Sequence, residues 1–331
     1  MKRKVYIDMA KGIGIFLVIF GHAMSSSNKV IEWQCTFFMP LFFILSGLTY
    51  NRPKKLAENA KKILLPYYIG GGTGLILEVC LLIANGGFTF TLVVQKTGKL
   101  LLATNMWNYP VWFLAAFFIC KIVFDYIVKI SKDKKYSRII QVFSATACFI
   151  AGVLLAQIKK QYSFFYPFRF DIGITMVPFM LIGFYLQQSI EQVFKMHMGK
   201  KIILTSVMLM VNMCSFMKNT LVSVNSSEYG NPIFFLLGAI SGSLFVIFLC
   251  QLMCGITVME KVLSWLGRNS LVIMCTHAIV LAFWAKFLLI INQFVGLQIN
   301  ILDYIKVVGC IGLMVPICLL HQMKKEEKCM I

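Results

Sequence analysis

The chain has 331 residues, 59% of them hydrophobic, and a mean hydropathy of +0.79, which is far more apolar than a soluble domain. Lys and Arg outnumber Asp and Glu by 32 to 13. Such an excess would suit nucleic acid if it lined one soluble face, but here the charges punctuate apolar runs, so nucleic acid is excluded as a partner and membrane lipid takes its place.

Ten stretches are long and apolar enough to cross a bilayer, near 9–25, 35–50, 63–84, 107–128, 139–158, 172–190, 202–217, 232–256, 270–291 and 301–321. The expected fold is all-α, a polytopic membrane helix bundle of about ten transmembrane helices forming one domain over residues 1–331. The first, second and seventh stretches are short, which leaves tilted or re-entrant segments open there. The basic start, short apolar run and Ala23-Met24-Ser25 also resemble a cleavable leader, but Asp8 and Lys11 interrupt the run and many spans follow. With the N-terminus inside, 22 of the 32 Lys and Arg fall on the inner side, seven outside and three within spans. The excess of basic loops on one side places both termini in the cytoplasm and the chain in the inner or plasma membrane. Most of the eleven cysteines lie inside apolar stretches and none forms a CxxC pair, so they read as small buried hydrophobes. No loop is long enough for a soluble domain of about 50 residues, so any chemistry belongs to the bundle. No metal is expected.

In the first span, Asp8, Lys11 and His22 interrupt the apolar run. At about 100° per residue, eleven steps bring Lys11 and His22 to within about 20° of one face, about 16 Å apart along the axis. Asp8 lies one turn before Lys11, close enough to pair with it. Ionisable groups in a span are costly and mark a site or pathway. His22 suits a general base acting on an alcohol; the alternative is a hydrogen bond to a neighbouring helix at the outer interface.

The second span, Phe37 to Gly47, reads as a packing helix with Pro40 near its start and Ser46 and Gly47 permitting close approach. The loop after it carries Arg52, Lys54, Lys55, Lys61 and Lys62. These cations can grip the phosphates of a cytoplasmic donor; positive-inside bias alone yields the same charges. In the fourth span, Lys121 and Asp125 stand at i,i+4 and read as a mutually neutralising pair. Arg169 and Asp171 fall on an outer loop near Tyr162, Phe165 and Tyr166, where they can meet a sugar or serve as ordinary interfacial residues. His277 in the ninth span reads as an inter-helix hydrogen-bonding residue or a substrate contact. Glu78, Asp303 and Lys306 carry no assignment, and His197 and His321 fall at span ends.

Asp8-x2-Lys11-Gly12-x9-His22 followed by Phe38-Met39-Pro40-Leu41-Phe42-Phe43-x2-Ser46-Gly47 resembles the opening of the acyltransferase 3 membrane family. Trp112-Phe113-Leu114, Pro178-Phe179-x3-Gly183 and Gly267-x2-Ser270-Leu271-x5-His277 resemble its later blocks in order, and the short loops resemble its sugar O-acetyltransferase branch. The resemblance implies transfer of an acyl group, commonly acetyl, from cytoplasmic acetyl-CoA or another acyl-CoA to a hydroxyl of a cell-envelope glycan or lipid-linked sugar. It implies His22 as catalytic base, with Lys11 as its partner towards the cytoplasm. Two features depart from the family pattern. Phe38 stands where many members have His, and Arg52 with scattered lysines stands where many carry Arg-x-x-Arg, so contacts to the donor phosphates fall to Lys11, Arg52, Lys61 and Lys62 without a motif. A transporter or flippase of a lipid-linked sugar would show the same polar stripe, though no pair of broken helices in related halves is evident. A membrane scaffold would tolerate replacement of both Lys11 and His22.

Overall fold

The computed structural model describes residues 4–25, 28–104 and 107–330, the side chains of 324–330 excepted. Lys2 and Arg3, and the side chains of Lys324, Lys325 and Lys328, which enter the charge count, lie outside the described residues. The helices in chain order are α1 Val5–Ala23, α2 Lys29–Cys35, α3 Phe38–Leu48, α4 Leu56–Ala84, α5 Phe90–Leu101, α6 Trp112–Ser131, α7 Ser137–Tyr162, α8 Phe170–Thr175, α9 Val177–Tyr185, α10 Gln187–Lys195, α11 Met198–Lys218, α12 Pro232–Met253, α13 Thr257–Arg268, α14 Ser270–Val295 and α15 Ile299–Met330. No strand occurs among the described residues; one isolated bridge pairs Ser223 with Glu228.

Among the described residues nine spans, counting α2 with α3 as one of 20 residues, are long and apolar enough to cross a membrane, and the α8–α9 pair, bent by 46°, completes ten. The chain is therefore a multi-pass membrane protein, and the ten spans match those read from hydropathy one for one. The irregular span is the sixth, where α8 and α9 break at Met176 just before Pro178. Proline lacks the N–H of a continuous helix and its ring crowds the preceding turn. The first, second and seventh are of full length because their helices start earlier than the apolar runs, α1 at Val5 and α11 at Met198.

Burial separates central from peripheral spans. The apolar window of α1 is 56% buried and that of α11 only 17%. Side chains such as Phe143, Ile203 and Met217 stand exposed on the outer helices, an arrangement suited to hydrocarbon, where helices keep every backbone bond internal. At the centre, α1 packs against α13, α3, α12, α14 and α15.

Without a hydrophobic force between helices in lipid, close packing of small residues holds them together. At the α1–α13 crossing a Cβ on Gly12 would overlap the Leu263 carbonyl, and one on Gly267 would overlap that of Asp8. At the α3–α9 crossing Gly47 faces the Met180 carbonyl and Gly183 that of Ile44. Polar side chains add fixed points. The Trp33 indole donates to Asn212 Oδ1 at 2.5 Å, and Asn212 donates to the Gly238 carbonyl at 2.7 Å, tying α2, α11 and α12. The Lys121–Asp125 pair forms at 2.7 Å, and Asp125 also accepts from Tyr50 and Asn59. A buried ion pair needs this completion to offset desolvation. Glu78 and Lys96 join α4 to the amphipathic α5.

Gly183→Leu is predicted to lower the thermal midpoint and the monodisperse yield in detergent, because overpacking costs about 1–3 kcal/mol or more. Gly72→Ala, at a position with nothing within 4 Å, should leave both unchanged.

Candidate active site

The site is assembled on α1. At its start, Asp8 is buried and its carboxylate lies 3.9 Å from Arg268 Nε on α13. Arg268 is a partner that spacing along α1 alone does not reveal. Lys4 contacts Glu191 on α10.

His22 occupies the last turn of α1 and is half-buried. Its Nδ1 lies 2.7 Å from the Tyr109 hydroxyl, and the Tyr109 ring meets the imidazole edge-on, with centroids 4.9 Å apart. The His277 ring stacks beside it at 5.4 Å and 18°. The His277 Nδ1 is 2.7 Å from the Ile273 carbonyl, which only accepts, so the ring donates from Nδ1 and the neutral form carries its lone pair on Nε2. That Nε2 is buried and has no hydrogen-bond partner among the described residues. The expectation of an inter-helix hydrogen bond from His277 is thus corrected: the bond turns back onto its own helix, one turn earlier, and the contact between helices is the ring stack with His22.

Tyr109 is placed by its neighbour. Asn108 is fully buried and donates from Nδ2 to the carbonyls of Gly70 and Cys275, both at 2.8 Å, joining the start of α6 to α4 and α14. Gly74 leaves room for it: a Cβ there would meet the Asn108 Cβ at 2.6 Å. The other side of the α1 terminus is tied to α15. The Ser25 backbone N–H and hydroxyl donate to Asp303 at 2.9 and 2.7 Å, and Lys306 donates to the same carboxylate at 2.8 Å. This gives Asp303 and Lys306 a role as the anchor of the helix end that carries His22.

Near the opposite end of α1, a cavity of about 250 Å³ is lined by Lys11 and Lys62 and walled by Phe42, Phe113 and Phe117. It also touches Met274, one turn before His277 on α14. Lys11 on α1 and Met274 on α14 thus place part of the cavity wall on the two helices that carry the histidine pair, while α3, α4 and α6 supply Phe42, Lys62, Phe113 and Phe117. Of the basic residues expected at a donor phosphate, Lys11 and Lys62 are brought together; Lys62 also donates to Glu58 at 3.2 Å. Arg52 and Lys61 are exposed and stand outside the cavity lining.

Arg169 and Asp171 do not stand on an open loop. A short turn, Pro167–Arg169, leads directly into α8, and both side chains are buried. Arg169 is stacked over Phe165 at 4.3 Å, and Asp171 accepts from the Ser227 hydroxyl at 2.5 Å with Lys159 Nζ 3.6 Å away. Burial of a charge is costly unless it is partnered: Asp171 is held by Ser227 and Lys159, and Arg169 by the Asn225 carbonyl at 3.3 Å and the Phe165 ring.

Among the described residues no group of His, Cys, Asp or Glu could hold a metal ion. The helices offer imidazole and phenol groups for proton transfer at one end of α1 and a cavity lined by Lys11 and Lys62 towards the other. A family model described as an acyltransferase domain matches residues 4–323, and the chain belongs to the acyltransferase 3 family. The bundle is thus a membrane acyltransferase. No curated protein and no solved structure gives a match.

Tyr109 and Asn108 escaped sequence reasoning, although Asn108-Tyr109-Pro110 stands one residue before the Trp112-Phe113-Leu114 block. A polar pair at the start of an apolar span is the signal that points to them. Replacing Asn108 with Ala leaves two buried carbonyls without this donor and is predicted to cost about 1–3 kcal/mol, read as a lower thermal midpoint; an unchanged midpoint would show that the tie carries no weight.

Proposed function

We propose that the chain is an acyl-CoA-dependent O-acyltransferase that moves an acyl group, acetyl foremost, from cytoplasmic acyl-CoA to a hydroxyl of a cell-envelope glycan or lipid-linked sugar. The observation that carries the reading is the arrangement on α1: Lys11 at a cavity with cationic and aromatic walls, and His22 one face up the helix, held by Tyr109 and stacked on His277. The protein sits in the inner or plasma membrane with both termini cytoplasmic, as the distribution of basic loops indicates. Lys11 and Lys62 would attract the phosphates of the donor, and the aromatic walls would accept its thin apolar arm.

In the reaction, His22 takes the proton of the acceptor hydroxyl as its oxygen attacks the thioester carbon. The new C–O bond forms, the C–S bond breaks, and the proton passes to the leaving thiolate. This role requires Nδ1–H of His22 to donate to the Tyr109 oxygen, which leaves the Nε2 lone pair for the substrate. His277 lies against the ring and holds its plane.

The test compares envelope glycans from cells expressing the native chain, His22→Ala or an empty vector, by mass spectrometry at equal membrane abundance. The native chain should add an acyl-sized mass that His22→Ala lowers by about 100-fold or more, the scale of a general base. Identical glycans from native and variant cells in a host with hydroxyl-bearing envelope sugars would contradict the reading and favour transport. Tyr109→Phe keeps the ring contact and loses the hydroxyl; it should reduce turnover by about tenfold without lowering the thermal midpoint. Lys11→Ala should raise the donor KM more than it lowers kcat, whereas a scaffold would tolerate all three changes.

A further inference from the structure

A second cavity, of about 510 Å³, opens between the C-terminal end of α7, residues 163–165 and the loop that joins α11 to α12. α7 and α11 end, and α1 ends, on the same side of the bundle, so this recess shares a face with His22. Its volume lies in the range of about 300–1,000 Å³ typical of small-molecule sites.

The recess has a rigid wall. Lys159, buried, donates to the Ser227 hydroxyl at 2.9 Å, and Ser227 donates to Asp171 at 2.5 Å. Ser227 holds a left-handed backbone, φ +64°, inside a tight turn closed by the Ser223–Glu228 bridge, whose two backbone bonds measure 2.8 and 2.9 Å. A non-glycine residue in that region persists only when its surroundings impose it. Asn219 Oδ1 fixes the other end of the loop, accepting from the Asn231 N–H at 2.8 Å.

The chemistry of the lining selects a ligand class. Lys160 and Glu228 bring opposite charges to the opening, and the buried Lys159 is already matched by Asp171, so the recess offers no net charge to an anion. Gln157 and Ser226 supply exposed hydrogen-bonding groups, while Phe164, 39% exposed, presents an aromatic surface. Alternating hydroxyl partners and an aromatic face fit the edge and the apolar C–H face of a neutral sugar ring. The Arg169 guanidinium, 4.3 Å from the Phe165 ring and 6.0 Å from the Trp112 ring, bridges this wall to α6 one turn after Tyr109.

We infer that this recess is a distal acceptor subsite that binds neutral, hydroxyl-rich sugar units of a glycan whose reacting hydroxyl lies at His22. The inference rests on the proposed acyl transfer for its purpose, but binding can be measured without transfer. Full-length protein in nanodiscs is titrated by calorimetry with chitotetraose, maltotetraose and, as the anionic arm, tetragalacturonate. At least one neutral tetrasaccharide should bind, more tightly than tetragalacturonate. The combined Phe164→Ala and Glu228→Ala variant should weaken that binding by about tenfold or more, and Gly72→Ala, at a position with nothing within 4 Å, should bind like the native protein. Absence of binding by both neutral probes, tighter binding of tetragalacturonate, or equal binding by the combined variant overturns the subsite. If native cells show no acylated glycan while binding still depends on Phe164 and Glu228, the subsite stands and the transferase reading falls. If His22-dependent acylation is present and binding ignores the combined variant, the subsite falls alone.

Discussion

The α1–α13 crossing governs the rest of the structure. Gly12 and Gly267 bring two backbones into direct contact, and the Leu263 and Asp8 carbonyls occupy the space that any side chain there would need. This contact fixes the rotation of α1 about its axis. Because Lys11 and His22 lie on one face, fixing the rotation aims both at once, the first at the cavity and the second at Tyr109 and His277. Dispersion between closely fitted helices is the force available in lipid, and the two glycines maximise it where orientation matters most.

Polar groups within the bundle are few, and most are used as ties. Lys121 with Asp125, Asp171 with Lys159 and Ser227, and Asp303 with Lys306 and Ser25 each form a set of opposite charge completed by hydroxyl or amide donors. His277 commits one ring nitrogen to the Ile273 carbonyl, and its other, like several further buried side-chain atoms such as Asn108 Oδ1 and Asp171 Oδ1, has no hydrogen-bond partner among the described residues. What sets His277 apart is its place, stacked against the candidate base His22.

Hydropathy made the ten spans legible, because lipid imposes length and apolarity on each helix separately. The one-face relation of Lys11 and His22 was legible for the same reason, being a property of a single helix. What escaped was set by other parts of the chain. Tyr109, Arg268 and the stack of His277 on His22 depend on how α6, α13 and α14 settle against α1, and no spacing along one helix contains that information. The inward turn of Asp171 depends on Ser227 and Lys159, 56 and 12 residues away, and that of Arg169 on the Asn225 carbonyl and the Phe165 ring. The amphipathic α5, α10 and α13 were missed as helices because they are too polar to register as spans. Breaking of the sixth span was written locally, in Pro178, yet passed for an ordinary span because its composition is apolar throughout.

The central claim is that a donor at the Lys11 cavity and an acceptor at the His22 end, on opposite sides of the bundle, are served by one site. Reconstituted vesicles of uniform orientation test it most directly, with radiolabelled acetyl-CoA supplied on the side of the basic loops and envelope glycan confined to the other. The account predicts that label enters the glycan with the native chain and not with His22→Ala. Label that appears only when donor and glycan share one side, or that appears equally with the variant, would contradict it.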